Sequence, residues 1–271
     1  MRVIIVFIIL TVSICWSLEL VEEFQLTKNI DPIAIKADGS GRYFILDSSG
    51  KLTAFEKDSL SAEIDPARRT AGWIEASDMD FASGWLYVAD RSGSAIYITD
   101  RYLRAPAKID LTVEGETVRP AKIAVSTDGR ILIYDEDRAE MLLYKGWRDT
   151  SPVVLTVPLS SESGHVELAY DFVRNTFLVI SERSILEYSI LGAYEEKTDY
   201  PSPETNINPL TAGILGDAFY LVDSRGVWLN FNGEWIFRLK AKASVSAISV
   251  RSRVIIVENG TFKSFRISET R

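Results

Sequence analysis

The stretch Leu86–Ile98, LYVADRSGSAIYI, is an alternating apolar run that ends on an acid, Asp90, crosses the polar turn RSGS and resumes as a second apolar run. Such alternation is the period of a half-buried strand, so the stretch reads as two strands joined at a tight turn. The same arrangement occurs five more times, with the marker at Asp47 in YFILDSSGKLTAF, Asp135 in ILIYDEDRAEMLLY, Ser181 in FLVISERSILEYS, Asp223 in FYLVDSRGVWLNF and Glu258 in VIIVENGTFKSF. The markers follow one another at 43, 45, 46, 42 and 35 residues, so the chain carries six copies of one unit. Self-similarity at a near-constant period constrains the fold more strongly than any single motif.

The match extends upstream of the marker. Pro32 and Pro120 stand 15 residues before Asp47 and Asp135, and Ile35, Gly41, Arg42 and Ile45 share their offsets with Ile123, Gly129, Arg130 and Ile133. Gly84 keeps the glycine place in the second copy; in the fourth it is taken by Asn175, a residue type that tolerates positive φ. Each unit begins with a short strand (IAIK, MDFA, KIAVS, ELAYD, LTAGI, AISV), turns at Gly or Asn, and runs a second strand up to the marker. A third strand follows, as in KLTAF, SAIYI and MLLY, and a fourth in AKIDLTV, PVVLTVPL and WIFRLK. Four antiparallel strands per unit of about 40 to 45 residues predict an all-β, six-bladed β-propeller. An acid repeated at one place in successive blades is suited to capping the N–H groups of its turn, so Asp47, Asp90, Asp135 and Asp223 are expected to be structural.

The order of Pro, apolar strand, Asp-Gly turn, apolar strand ending in Asp, polar turn and apolar strand resembles the NHL-repeat type of propeller within the TolB-like six-bladed group. DPIAIKADGSGRYFILDSSGKLTAF and RPAKIAVSTDGRILIYDEDRAEMLLY carry the resemblance. The Trp-Asp dipeptide of WD40 blades is missing, and Gly-His does not recur from unit to unit. The resemblance implies a fold and no particular chemistry, because enzymes, binding modules and scaffolds share it.

Acidic residues outnumber basic ones by 38 to 30, giving a net charge of -8. That balance disfavours phosphate-backbone binding, so nucleic acid is not an expected partner, and Arg101, Arg104 and Lys108 read as a solvated strand face. At the N-terminus Arg2 precedes the apolar run Val3–Val12. This is short of the roughly 20 residues that span a bilayer and suits a secretory signal. Residues 1–17 are therefore predicted to be a signal peptide cleaved after Ser17. Cys15 is the only cysteine, and Ile14 before it departs from the small residue of a lipoprotein signal. The expected mature product, 18–271, is one exported propeller, periplasmic or extracellular, with no cysteine and no membrane span. Its sixth unit offers only three strands, and LELVEEFQL places Leu18, Leu20, Phe24 and Leu26 on one face of a period-two pattern broken by Glu22. Residues 18–30 are thus predicted to pair beside Thr261–Ser268 and close the ring.

Propeller ligands are met at a channel mouth, so the candidates are residues that break the repeat at the entry to the innermost strands: Asp31, Asp78, Arg119, His165, Glu167 and Asn208. The expected function is a binding or scaffold module for a protein, peptide or carbohydrate partner, without a cofactor. The lone histidine rules out a zinc centre built from several imidazoles, and no Gly-x-Ser-x-Gly stretch presents a nucleophile. The gluconolactonase type of six-bladed propeller binds one divalent cation through oxygen ligands from separate blades, and although its local motifs are not recognisable here, it supplies the second reading, a cation-dependent lactonase or related hydrolase. In it Asp78, Glu167 and Asn208 would hold calcium or magnesium through hard oxygens. Replacing Asp78 or Glu167 by Ala is expected to change stability by no more than about 0.5 kcal/mol, as at surface sites. Leu191–Pro209, the longest irregular stretch, reads as a solvated outer-strand connection, with a partner-binding loop as the alternative. Most of Trp73, Trp85, Trp147, Trp228 and Trp235 read as packing between blades, and one exposed on the upper face is free to stack on a sugar or peptide.

Overall fold

A computed structural model describes residues 15–26, 30–56, 58–68, 72–104, 107–149, 151–155, 166–200, 209–215, 218–231, 234–249 and 253–270. Residues 1–14 of the predicted signal, His165 and Asn208 lie outside the described residues. Six four-stranded antiparallel sheets form the molecule. Their innermost strands are Pro32–Ala37, Ala76–Ala82, Pro120–Val125, Val166–Asp171, Pro209–Leu215 and Ala243–Ser249. Each innermost strand touches the next, and the sixth touches the first, which makes a six-bladed β-propeller.

In each blade the second strand ends on the marker: Arg42–Asp47, Trp85–Asp90, Ile131–Asp135, Thr176–Ser181, Ala218–Asp223 and Arg253–Glu258. Because strands alternate in direction, the marker turns and the connections into the innermost strands share one end of the ring, here the entry face. Turns between first and second strands, and between third and fourth, share the other end, the turn face. Asn175 takes the glycine place with φ of 60°, as its residue type allows. Two expectations need correction. Leu191–Pro209 is not irregular throughout, since Tyr194–Asp199 is the outermost strand of blade 4. The AKIDLTV strand stops at Asp110, and Thr112–Val113 instead pairs with Glu116–Thr117 in a small hairpin.

The core is divided among the blade interfaces. Phe44, Leu46 and Leu52 of blade 1 meet Met79, Leu86 and Val88 of blade 2, and the cluster is closed by Trp73, whose indole N–H donates to the Gly50 carbonyl at 2.8 Å. Corresponding clusters fill the interfaces from blades 2 and 3 round to blades 6 and 1. Each fully buried Leu, Ile or Phe contributes about 1.5–3 kcal/mol, so cohesion comes chiefly from blade-to-blade packing.

Blade 6 takes its outermost strand from the N-terminus. Cys15–Gln25 pairs antiparallel with Thr261–Thr270, from Cys15 opposite Thr270 to Gln25 opposite Thr261. The strand therefore starts three residues before the predicted cleavage point. Its register slips between Leu20 and Glu22, so the expected single apolar face is split. Leu18 packs toward blade 5, whereas Phe24 and Leu26 pack toward blade 1, with Phe24 stacked on Phe262 at 4.4 Å. Glu22, which broke the pattern, lies on the blade 1 side and accepts the Tyr43 hydroxyl proton, with Arg253 3.7 Å away.

Candidate functional site

The marker acids set where the channel lining begins. Asp90 is fully buried; its Oδ2 accepts the Ile74 N–H at 3.0 Å, and its Oδ1 accepts those of Glu75 at 2.9 Å and Gly93 at 3.1 Å. Asp47 Oδ1 takes the N–H groups of Ser49 and Lys51, and Asp223 Oδ1 those of Arg225 and Gly226. Asp135 takes the N–H of Asp137 and of Arg119, and the Ser181 hydroxyl takes those of Arg183 and Ser184. Glu258 reaches the Lys242 N–H at 2.8 Å. In blades 2 and 3 the marker thus fastens both its own turn and the chain arriving at the innermost strand, and in blade 6 it holds the arriving chain and the Lys263 ammonium. A Cβ on Gly93 would stand 2.1 Å from Asp90 Oδ2, which is why the turn carries glycine there.

Beyond that anchor, five of the six innermost strands slip register by one residue: Pro32/Ala34, Ala76/Asp78, Pro120/Lys122, Pro209/Thr211 and Ala243/Val245. A bulge re-aims every side chain that follows it. Ionisable side chains of four neighbouring blades are linked in consequence. Lys36 of blade 1 pairs with Asp80 of blade 2 at 3.0 Å, and Lys122 of blade 3 with Glu167 of blade 4 at 2.5 Å. Between these pairs Asp78 Oδ2 accepts the Ile123 N–H at 3.0 Å, and Asp80 Oδ2 accepts the Val125 N–H at 2.7 Å.

Burial pushes the Asp78 carboxyl up to about 6; Lys122 opposes this, Glu167 reinforces it, and Lys36 and the Ile123 N–H oppose it again. Burial also works against the Lys36 ammonium, but Asp80 and Asp78 outweigh it and hold Lys36 above its ordinary value. Lys122 is held up in the same way, by Glu167 and Asp78. The network therefore keeps its lysines charged and lets one of its carboxylates give way first.

Of the predicted candidates, Asp78 and Glu167 belong to this network, both reached through Lys122. Asp78 is a buried strand residue bonded to the next blade, not a mouth-loop residue, so it is not surface-like in its energetics. Arg119 is held by its main chain to Asp135 and Glu136, while its guanidinium pairs with Asp137 at 3.1 Å. Asp31 is exposed, and its carbonyl accepts the Ser48 N–H at 2.8 Å. Neither Asp31 nor Arg119 lines a channel cavity described below. Lys36, Asp80 and Lys122 were missed from sequence, although a polar residue recurring within otherwise apolar innermost strands was their signal. Arg101, Arg104 and Lys108 are each paired with an acid, respectively Asp38, Asp100 and Asp110.

A cavity of about 410 Å³ opens at the entry face, lined by Glu75, Ser77, Arg91, Lys122, Tyr134 and Glu136 among others. Arg91 bridges its rim, 3.5 Å from Glu75 and 3.3 Å from Glu136. A second, of about 290 Å³, opens at the turn face, lined by Lys36, Asp80, Phe81, Thr127, Tyr170, Phe172 and Thr211. Trp73 is buried and Trp228 and Trp235 are half-buried between blades, as expected, but Trp85 and Trp147 are exposed on the turn face. Among the described residues no three His, Cys, Asp or Glu side chains converge as metal ligands.

No protein-family model matches the chain, and no curated protein matches its sequence. Solved structures do match it in fold. A streptogramin B lyase aligns over 93% of this chain and 98% of its own, with TM-score 0.61 and 11% identity. YCF48 bound to D1 peptide aligns over 89% and 79%, with TM-score 0.57 and 12% identity. BamB from Moraxella catarrhalis aligns over 92% and 99%, with TM-score 0.55 and 13% identity. At these identities the likeness is one of fold alone.

Proposed function

We propose that this chain is an exported propeller of the NHL/TolB-like kind that acts as a binding or scaffold module, engaging a protein or peptide partner at its entry face. The observation that carries the reading is the entry mouth itself: charges of both signs and the Tyr134 ring, set on strand ends that the buried marker acids hold in place. Preorganised polar groups of both signs suit a partially charged peptide surface more than a small apolar ligand. Support by analogy comes from YCF48, which shares the fold and binds D1 peptide.

Against the hydrolase reading stands the occupancy of its proposed ligands. The Lys122 ammonium sits 2.5 Å from Glu167, and Asp78 is committed to the Ile123 N–H, so a calcium or magnesium ion shared with Asn208 would have to displace a buried cation. Calorimetric titration with CaCl2 and MgCl2 is expected to give no saturable heat. A micromolar site that disappears in Glu167→Gln would refute the binding reading in favour of the hydrolase. A photo-crosslinker at Tyr134, in the cells that make the protein, should trap one discrete partner, and one at Phe237 on an outer blade edge should trap none. Export predicts that the protein recovered from those cells begins at Leu18.

A further inference from the structure

The cavity at the turn face owes its shape to one level of the channel. Opposite the residue three before each marker, the innermost strands of blades 1 to 5 carry in turn Lys36, Asp80, Ala124, Ala169 and Gly213. Two long polar side chains are thus followed round the ring by small residues. The cavity of about 290 Å³ lies in the room they leave, at the lower end of the size range of ligand sites. Apart from those on outermost strands, the exposed rings among the described residues, Trp85, Tyr102, Trp147 and Phe172, all stand on the turn face, and Phe172 lines the cavity itself.

The charges on the wall select the chemistry of a ligand. Among the described residues Lys36 has Asp80 as its one close partner, 3.0 Å away, so two of the three ammonium donors remain for other acceptors. Asp80 is engaged at both oxygens: besides Lys36, Oδ1 accepts the Phe81 N–H at 2.9 Å, and Oδ2 accepts the Val125 N–H at 2.7 Å. Asp38 is closed in the same way, with Oδ1 on the Ser40 and Arg42 N–H groups and Oδ2 on Arg101. Asp171 is buried; its Oδ1 caps the N–H groups of Val173 and Arg174, and its Oδ2 presents no accessible surface. A cationic ligand therefore finds no open carboxylate, and an anionic one meets a lysine already neutralised by Asp80, with Asp38 and Asp171 nearby. A wholly apolar ligand would strip water from the Lys36 ammonium and put nothing in its place. A hydroxyl group meets none of these objections, because it accepts from Lys36, donates to a neighbouring oxygen and carries no charge. Thr127 and Tyr170, their hydroxyls 3.2 Å apart, and Thr211 supply further partners on the same wall.

We propose that the turn-face cavity binds a neutral saccharide of about one or two rings, its hydroxyls on Lys36, Thr127 and Thr211 and the C–H face of a ring against Phe172. A saccharide joins the two requirements of the wall, an edge of hydroxyls and an apolar ring face. The site is at the opposite end of the channel from the entry mouth and does not depend on what binds there.

Alanine methyl groups report on the two ends separately, because Ala37, Ala82, Ala169 and Ala212 line the turn-face cavity and Ala76 and Ala121 the entry cavity. The full chain, isotope-labelled at its alanine methyls, is titrated by NMR with glucose, galactose, mannose, maltose and cellobiose, and with glucosamine and galacturonate as charged counterparts. At least one neutral sugar should shift the turn-face methyls saturably and leave Ala76 and Ala121 in place. Glucosamine and galacturonate should each bind about tenfold or more weakly than glucose and galactose. Phe172→Ala should weaken binding about tenfold or more, whereas Trp147→Ser, which removes an exposed ring of the same face outside the cavity, should not alter it. Both side chains are exposed, so an unchanged Tm confirms that the fold persists. The proposal is overturned if no neutral sugar moves the turn-face methyls, if the entry-face methyls move instead, or if a charged sugar binds as tightly as its parent. Binding untouched by Phe172→Ala overturns it as well.

Discussion

A carboxylate removed from water is stable only if its oxygens are met by donors, and Asp90 meets that condition with three backbone N–H groups. Asp90→Ala should lower the unfolding free energy in urea by about 2 kcal/mol or more, since N–H groups are left unpaired together with the lost cap. Asp90→Asn should cost nearly as much, because its amide nitrogen would face a donor. Gly93→Ala should resemble both, by evicting the carboxylate. Asp78 makes a different prediction. Its folded pKa of about 6 lies above the ordinary 3.8, so the native state holds the proton more tightly. The stability tied to that proton is fully present below pH 3.8, is lost as pH rises to about 6, and stays lost above it. Urea titrations of wild type and Asp78→Asn should therefore diverge across that window and run parallel above it. Asp78→Ala should cost about 1–3 kcal/mol, more than a surface position, because the Ile123 N–H loses its partner. The marker acids were legible in the sequence because they repeat with the period and each of the four aspartates caps its own turn; their bonds to the chain arriving 15 to 16 residues upstream were not. The bond from Asp78 to the neighbouring blade was not, because bulges that leave no mark in the residue pattern decide where the side chain points.

Strand pairing is harder to read than strand existence. The closing strand was legible as an element, from LELVEEFQL and the incomplete sixth unit, and its partner was legible too. Its facing was not, since the slip between Leu20 and Glu22 divides Leu18 from Phe24. Phe24→Ala should cost about 2–3 kcal/mol through loss of the Phe262 stack and of packing against blade 1. A chain beginning at Asp31 should melt lower and aggregate through the bared edge of Thr261–Thr270, and the 18–30 peptide added in trans should restore part of the loss. Equal Tm values for the long and short chains would contradict this.

Cohesion of the whole molecule resides in six apolar interfaces arranged in a circle, so no blade is stable by its own strands alone. The circle was legible because the repeat spans nearly the whole sequence. The uneven distribution of exposed rings between its two faces was not, because a periodic pattern shows which residues lie in turns and not which of them escape burial by a neighbouring blade. The pairing of Cys15 with Thr270 also brings the two ends of the described chain to one spot on blade 6. A load applied between those ends would separate the closing pair like a zipper, meeting its hydrogen bonds one after another instead of all together. In a single-molecule stretching experiment, handles at residues 15 and 270 should therefore open blade 6 at low force. Handles at 25 and 270, which shear the same pair along its length, should require a markedly higher one. A propeller gripped by both ends would come apart first at its clasp, with the other five blades still folded.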